Sequence, residues 1–330
     1  MSTAEAAPAP GRGLAQAPGG GAPAPGRGLA PAPRGGVPAP GVAPVAGGTA
    51  RRGVVRPWLR MLRSELGLIF RRWRNLLLLA VLVGIPVLLG IALRVSVPRG
   101  GGGGGGLGAA FLFQVAGNGV FLAFLALTIM LTLVLPLVVA VVSGDSLAGE
   151  ASAGTLRYLL VVPAGRARLL SVKYAAIVVF SLVSCLLVAA SALIMGVALF
   201  PVGPVTLLSG TTVPLAEGLL RLLFVVLYVS AAMAMLGAIG LAISSLTEHP
   251  IAAIAAIMII AVASEVADNV PQFAVVQPYL PTHWWLSFDS LLRAPIATSD
   301  LLHSMLSFGA YIVIFGAIAW ARFTTADVTS

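Results

Sequence analysis

Few residues in this chain could do polar chemistry, and the most informative group lies in one stretch, Ser143–Lys173. It carries Gly149-Glu150, then Gly154-Thr155-Leu156-Arg157, then Leu159-Leu160, Pro163, Arg166, Arg168 and Lys173. Asp145 or Ser143 is suited to cap a helix start, Glu150 falls in an early turn, and Pro163 stops a helix before the basic run. An acid, small residues, a hydroxyl and unburied leucines are more than a turn between two elements requires, so the stretch reads as a surface offered to a partner. The standard catalytic groupings are missing. There is no Gly-x-x-x-x-Gly-Lys-Ser/Thr loop to hold a nucleotide, and Lys173 is the single lysine. His249, His283 and His303 stand apart, without a His-Glu-x-x-His zinc pattern or a Gly-x-Ser-x-Gly elbow. Cys185 is the only cysteine, which rules out an intrachain disulfide and a thiolate metal cluster. No catalytic, cofactor-binding or metal-ligating residue is assigned, and the chain is not read as an enzyme.

The elements that position this stretch are set by composition. Hydrophobic residues make up 58% of the chain and charged residues only 9%, with mean hydropathy +1.01. No soluble globule covers that much apolar surface, so the solvent is lipid. Six apolar stretches follow one another at Leu76–Leu93, Gly119–Val142, Tyr174–Phe200, Leu222–Ser245, Ile251–Val270 and Met305–Trp320. Each approaches the roughly 20 residues that cross a hydrocarbon core of about 30 Å. The fifth is the shortest without charge, and a full crossing there carries Glu265 and Asp268 at its end. Small residues at four-residue spacing, Ser230, Ala234, Ala238 and Ala242, with Ser181, Cys185 and Ala189, suit close helix packing in lipid.

Before the first stretch, Trp58, Leu59, Leu62, Leu66, Ile69, Phe70 and Trp73 recur near helical period among Arg60, Arg63, Arg71, Arg72 and Arg74. This is a basic amphipathic helix suited to a membrane interface, with Trp58, Arg63, Arg71 and Trp73 as its anchors. Residues 1–56 form a Pro/Ala/Gly tail in which Ala7–Leu14 recurs as Ala22–Leu29; with so little apolar mass it is expected to be disordered. The first apolar stretch begins too late for a cleaved signal peptide. The membrane domain therefore occupies residues 57–330.

Orientation follows from the cations. With the N-terminus inside, sixteen of the twenty Lys and Arg fall on the cytoplasmic side and four outside. Both termini and the loop 143–173 are then cytoplasmic. The basic excess reports this topology and not nucleic acid. A run of seven glycines, Gly100–Gly106, is a flexible external linker. Nineteen arginines and abundant Ala, Gly and Pro suggest a GC-rich bacterial genome, hence a bacterial plasma membrane.

In Gly149-Glu150, Gly154-Thr155-Leu156, Leu159-Leu160, Pro163, Arg166 and Lys173 the sequence resembles the permeases of the ABC type-2 exporter family. The resemblance implies an all-α integral membrane protein with six transmembrane helices, an N-terminal interfacial amphipathic helix and a cytoplasmic coupling helix between spans 2 and 3. It further implies that Gly149, Glu150, Gly154, Thr155, Leu156, Arg157, Arg166 and Lys173 form an ATPase-coupling loop. The implied partners are a separate ABC ATPase subunit, which binds the ATP, and a second permease copy, as homodimer or paralogue. The uncharged spans suit an apolar or amphiphilic cargo. Two other readings stay open at this point. An ion-coupled secondary transporter would place ionisable groups near the bilayer midplane, and none is found there. A non-transporting membrane scaffold of the same fold is the other.

Overall fold

The computed structural model describes residues 55–96, 118–154, 165–207 and 209–325, all within the unit Arg51–Ser330. The tail as far as residue 54, the glycine run and Thr155, Leu156 and Arg157 lie outside the described residues. The elements are α1 (Val55–Arg71), α2 (Trp73–Ser96), α3 (Phe121–Thr132), α4 (Val134–Ser152), α5 (Arg166–Leu199), a hairpin of β1 (Val205–Thr206) and β2 (Thr212–Val213), α6 (Leu215–Ser244), α7 (Pro250–Asp268) and α8 (Thr298–Thr325). Short 3₁₀ turns fill the segment between α7 and α8. Six helices, α2 and α4 to α8, are long and apolar enough to cross a membrane, and the chain is an all-α membrane protein.

The bundle is built around α6, which packs against α4, α5, α7 and α8. Of its most apolar window 78% is buried, against 17% for α2, 22% for α7 and 11% for α8. The peripheral helices leave Leu88, Val95, Ile251, Ile259, Leu306 and Val313 exposed, side chains suited to a hydrocarbon solvent. Both small-residue stripes face inward: Ser230, Ala234, Ala238 and Ala242 are buried, as are Ser181, Cys185 and Ala189. One close approach involves Gly240. A Cβ there would collide with the Ser143 hydroxyl and meet Ile257 at 3.1 Å, so glycine is what lets α4 and α7 close on α6.

The second span departs from the sequence expectation of Gly119–Val142. Backbone torsions of φ −141° and ψ −47° at Leu133 break it into α3 and α4. Pro136 explains the break, because its ring lacks the N–H that would bond Thr132 and crowds that carbonyl. In compensation α4 runs ten residues beyond Val142, to Ser152. Ser143 and Asp145 are therefore not helix caps: both lie inside α4, and the Ser143 hydroxyl, fully buried, donates to the Val139 carbonyl at 2.8 Å. The extension is held by Ser244 of α6. Its Oγ accepts from Leu147 N at 3.0 Å and Ala148 N at 2.9 Å, and donates to the Gly144 carbonyl at 2.7 Å. One hydroxyl thus ties α4 to α6 over the turn where the sequence suggested the capped start of a separate cytoplasmic helix.

At the other end of the bundle, α3 docks on the chain leaving α5. The Asn118 amide donates to the Gly203 and Pro204 carbonyls at 2.9 and 3.0 Å, and its Oδ1 accepts from Val120 N at 3.0 Å. Gly119 and Gly196 touch backbone to backbone, and neither position has room for a Cβ.

Candidate functional site

The charged residues concentrate where α1, α4 and the start of α5 meet. Lys173 lies in the second full turn of α5, with its side chain 2% exposed. Its Nζ is 2.6 Å from Glu150 Oε1, on α4, and 3.5 Å from Glu65 Oε1, on α1. A buried ammonium is tolerated only when paired and hydrogen-bonded, so this one cation draws three helices together. Beside it Asp145, on α4, accepts from Arg72 in the α1–α2 junction and from Arg74 at 3.0 Å. Both arginines are about half exposed, and this second cluster is correspondingly softer.

The placement of α1 follows from its periodicity. Trp58, Met61, Leu62, Glu65, Leu66, Ile69 and Phe70 line its covered face, whereas Arg60, Arg63 and Arg71 are exposed. That covered face packs on α5 and α2, so the protein itself meets much of the apolar stripe expected to meet lipid. Trp58 Nε1 donates to Ser171 Oγ at 3.1 Å, and the Phe70 and Phe180 rings lie 5.6 Å apart. The helix ends at Arg71, and the buried Asn75 donates back to the Ile69 carbonyl at 2.9 Å, fixing the turn into α2. Trp73 belongs to α2, not to the amphipathic helix, and at 73% exposure it faces outward.

Of the residues singled out by sequence, the structure brings together Glu150 and Lys173, with Trp58 held by Ser171, two residues before Lys173 on α5. Gly149 is half-buried, and a Cβ there would lie 2.6 Å from Asp145 Oδ1. Gly154 closes α4 with φ +67°, the left-handed C-terminal position that glycine occupies without strain. Arg166 is the first residue of α5. Arg63 and Arg71 stay at the surface. Thr155, Leu156 and Arg157 lie outside the described residues, between the ends of α4 and α5.

Sequence reasoning missed Glu65, Arg72, Arg74, Asp145 as an ion-pair partner, Ser171 and Ser244. One of these left a signal: Glu65 is the only acid in α1 and falls on its apolar stripe, a place that requires a buried cation.

The histidines also differ from the expectation that each is isolated. His283 Nδ1 lies 2.5 Å from Asp268 Oδ1, and Trp284 contacts both His283 and His303, their ring centroids 4.8 and 5.9 Å from its own. His249 takes no part in these contacts. Among the described residues no three of His, Cys, Asp and Glu converge as metal ligands. What the α1–α4–α5 junction can do is mechanical: it links the chain before the first span, the end of the second and the start of the third through charges that cannot separate without leaving one buried alone.

Residues 107–264 match the family model described as ABC-2 family transporter protein. The match takes in α3 to most of α7, and with them Asp145, Glu150, Lys173 and Ser244, while α1 lies outside it. No curated protein matches the chain.

Proposed function

We propose, from the premise that this chain is an ABC type-2 transport permease, that it is the membrane-spanning subunit of an ATP-driven exporter. A separate ATPase subunit binds and hydrolyses the nucleotide, a second permease copy completes the translocator, and the cargo is apolar or amphiphilic. Uncharged spans support that cargo class. The chain resides in a bacterial plasma membrane with both termini and the segment between α4 and α5 in the cytoplasm. The sixteen-to-four distribution of cations supports this orientation.

The observation that carries the reading is the buried Lys173, whose pairing with Glu150 and Glu65 joins three helices next to the segment that would meet the ATPase. That segment comprises Gly149, Glu150, Gly154, Thr155, Leu156, Arg157 and Arg166. Within it Glu150 acts through the position it gives α4, since Lys173 already holds its carboxylate at 2.6 Å. Direct contact falls to Thr155, Leu156 and Arg157. A push on them moves the end of α4, and Lys173 passes the displacement to α1 and α5.

The test is copurification and ATP-driven transport with a phosphate-loop ATPase encoded beside the permease, normalised to inserted protein. Arg157→Ala and Thr155→Ala are expected to weaken ATPase capture and export while insertion is unchanged. Wild-type behaviour of both variants in both assays would remove this segment from the coupling route. A topology reporter at Pro163 that reads exterior, with one at Gly103 reading cytoplasm, would invert the orientation and remove the contact altogether.

A further inference from the structure

α5 carries Lys173 near its start, so the hairpin that follows its last turn lies at the opposite end of the bundle. There a half-open cavity of about 620 Å³ sits between α3, the hairpin turn and residues 286–295. Sites for small organic ligands span about 300–1,000 Å³ and combine an apolar wall with a few placed polar groups. This cavity has both. Phe124, Phe288 and Leu292 form the wall, each almost fully buried, with the Thr128 hydroxyl beside them. The rim carries Asp289 and Arg293, paired at 3.0 Å with side chains 44% and 58% exposed.

The wall is fixed in advance. Arg221, its side chain 12% exposed at the start of α6, pairs with Glu217 at 2.8 Å. The same guanidinium donates to the Leu291 carbonyl at 2.6 Å and the Arg293 carbonyl at 3.0 Å. Ala294 N donates to Ser209 Oγ of the hairpin turn at 3.1 Å. A mostly buried cation and a hydroxyl thus fasten the backbone that presents Asp289, Leu292 and Arg293, and a site held this way loses little entropy when it is filled.

We propose that this cavity binds a zwitterionic amphiphile, its apolar body between Phe124, Phe288 and Leu292, its cationic group at Asp289 and its anionic group at Arg293. A head of one sign would be drawn to one rim residue and repelled by the other. A head carrying both signs meets both while the rim stays solvated, and a charged body would be stripped of water against the aromatic wall. Such a molecule comes either from the bilayer or as a free single-chain amphiphile. Binding here needs neither ATP nor partner. Its failure leaves the export reading intact, and a failure of ATP-driven export leaves the cavity assignment intact.

The test is native mass spectrometry of the full-length chain in a neutral glycoside detergent, titrated with dodecylphosphocholine. One saturable adduct per chain is expected. Arg293→Gln and Asp289→Asn should each weaken it by about two- to fivefold, the range an exposed charge contributes. Leu292→Trp, which fills the cavity, should abolish it, and Arg63→Gln on α1 should leave it unchanged. A zwitterionic phospholipid that copurifies one per chain and disappears in Arg293→Gln identifies the bilayer as source. Saturable dodecylphosphocholine binding without such a lipid identifies a free amphiphile. No saturable adduct, or equal affinity in wild type and Arg293→Gln, overturns the proposal. Arg293 is exposed enough to be changed without unfolding the chain, so the test stands even if Leu292→Trp does not fold.

Discussion

Replacing Lys173 with Met keeps the length of the side chain and removes the charge on which α1, α4 and α5 converge. Glu65 and Glu150 are 18% and 20% exposed in their side chains, so neither carboxylate is fully rehydrated in place once the ammonium is gone. Breaking a buried pair by removing one member costs about 3–5 kcal/mol. Because both acids keep some contact with water, the lower figure applies. At about 1.4 kcal/mol per tenfold, 3 kcal/mol raises the population in which α1 has detached by roughly 150-fold. Tryptic cleavage at Arg60 and Arg63 reads that population directly when opening and reclosing are faster than cleavage. The comparison is Arg72→Gln, which weakens a pair whose arginine is 54% exposed; such pairs contribute about 0.2–1 kcal/mol, a rise of no more than about fivefold. Adding Glu150→Gln and Glu65→Gln to Lys173→Met should restore much of the resistance, since replacing every member of a buried charge cluster is often neutral. Cleavage of Lys173→Met at a rate within twofold of wild type would refute the reasoning, and so would equal acceleration by Arg72→Gln.

Ser244→Ala removes the hydroxyl that bonds Leu147 N, Ala148 N and the Gly144 carbonyl across to α6, and is expected to lower stability by about 1 kcal/mol, measured by thermal unfolding in lipid nanodiscs. Gly240→Val should prevent assembly of α4 against α6, seen as loss of the folded monomer on size exclusion after normal insertion, because its side chain would occupy the Ser143 hydroxyl position. Deletion of residues 1–50 should leave insertion and thermal unfolding unchanged, and loss of inserted protein would give the tail a structural role.

Helix number and the amphipathic entry helix were legible because lipid imposes long uncharged runs and α1 keeps a 3.6-residue period. The junction was not. Asp145 and Ser143 look like caps to any local reading, since Asp and Ser before a run of small residues are what a helix start requires. Their actual setting depends on Ser244, about a hundred positions away, whose hydroxyl extends α4 past its apolar part. The same limit hid Glu65 and Lys173 from each other, as their separation of 108 positions carries no period. The break at Leu133 was readable from Pro136, but the apolar run continues across it without interruption, and hydropathy alone drew a single span.

That break divides the second membrane segment into two rods of unequal length. α4 rises about 28 Å from Val134 to Ser152 at 1.5 Å per residue. Leu133 is the one non-helical residue between it and α3, and α3 is anchored by Asn118 to the carbonyls beyond α5. Leu133 is therefore the point at which the two rods change direction. A change of about 10° in the angle between the rods would displace Glu150, about 25 Å from Leu133, by about 4 Å relative to the cavity wall formed by Phe124 and Thr128, and would require the Ser244 contacts to α4 to give way.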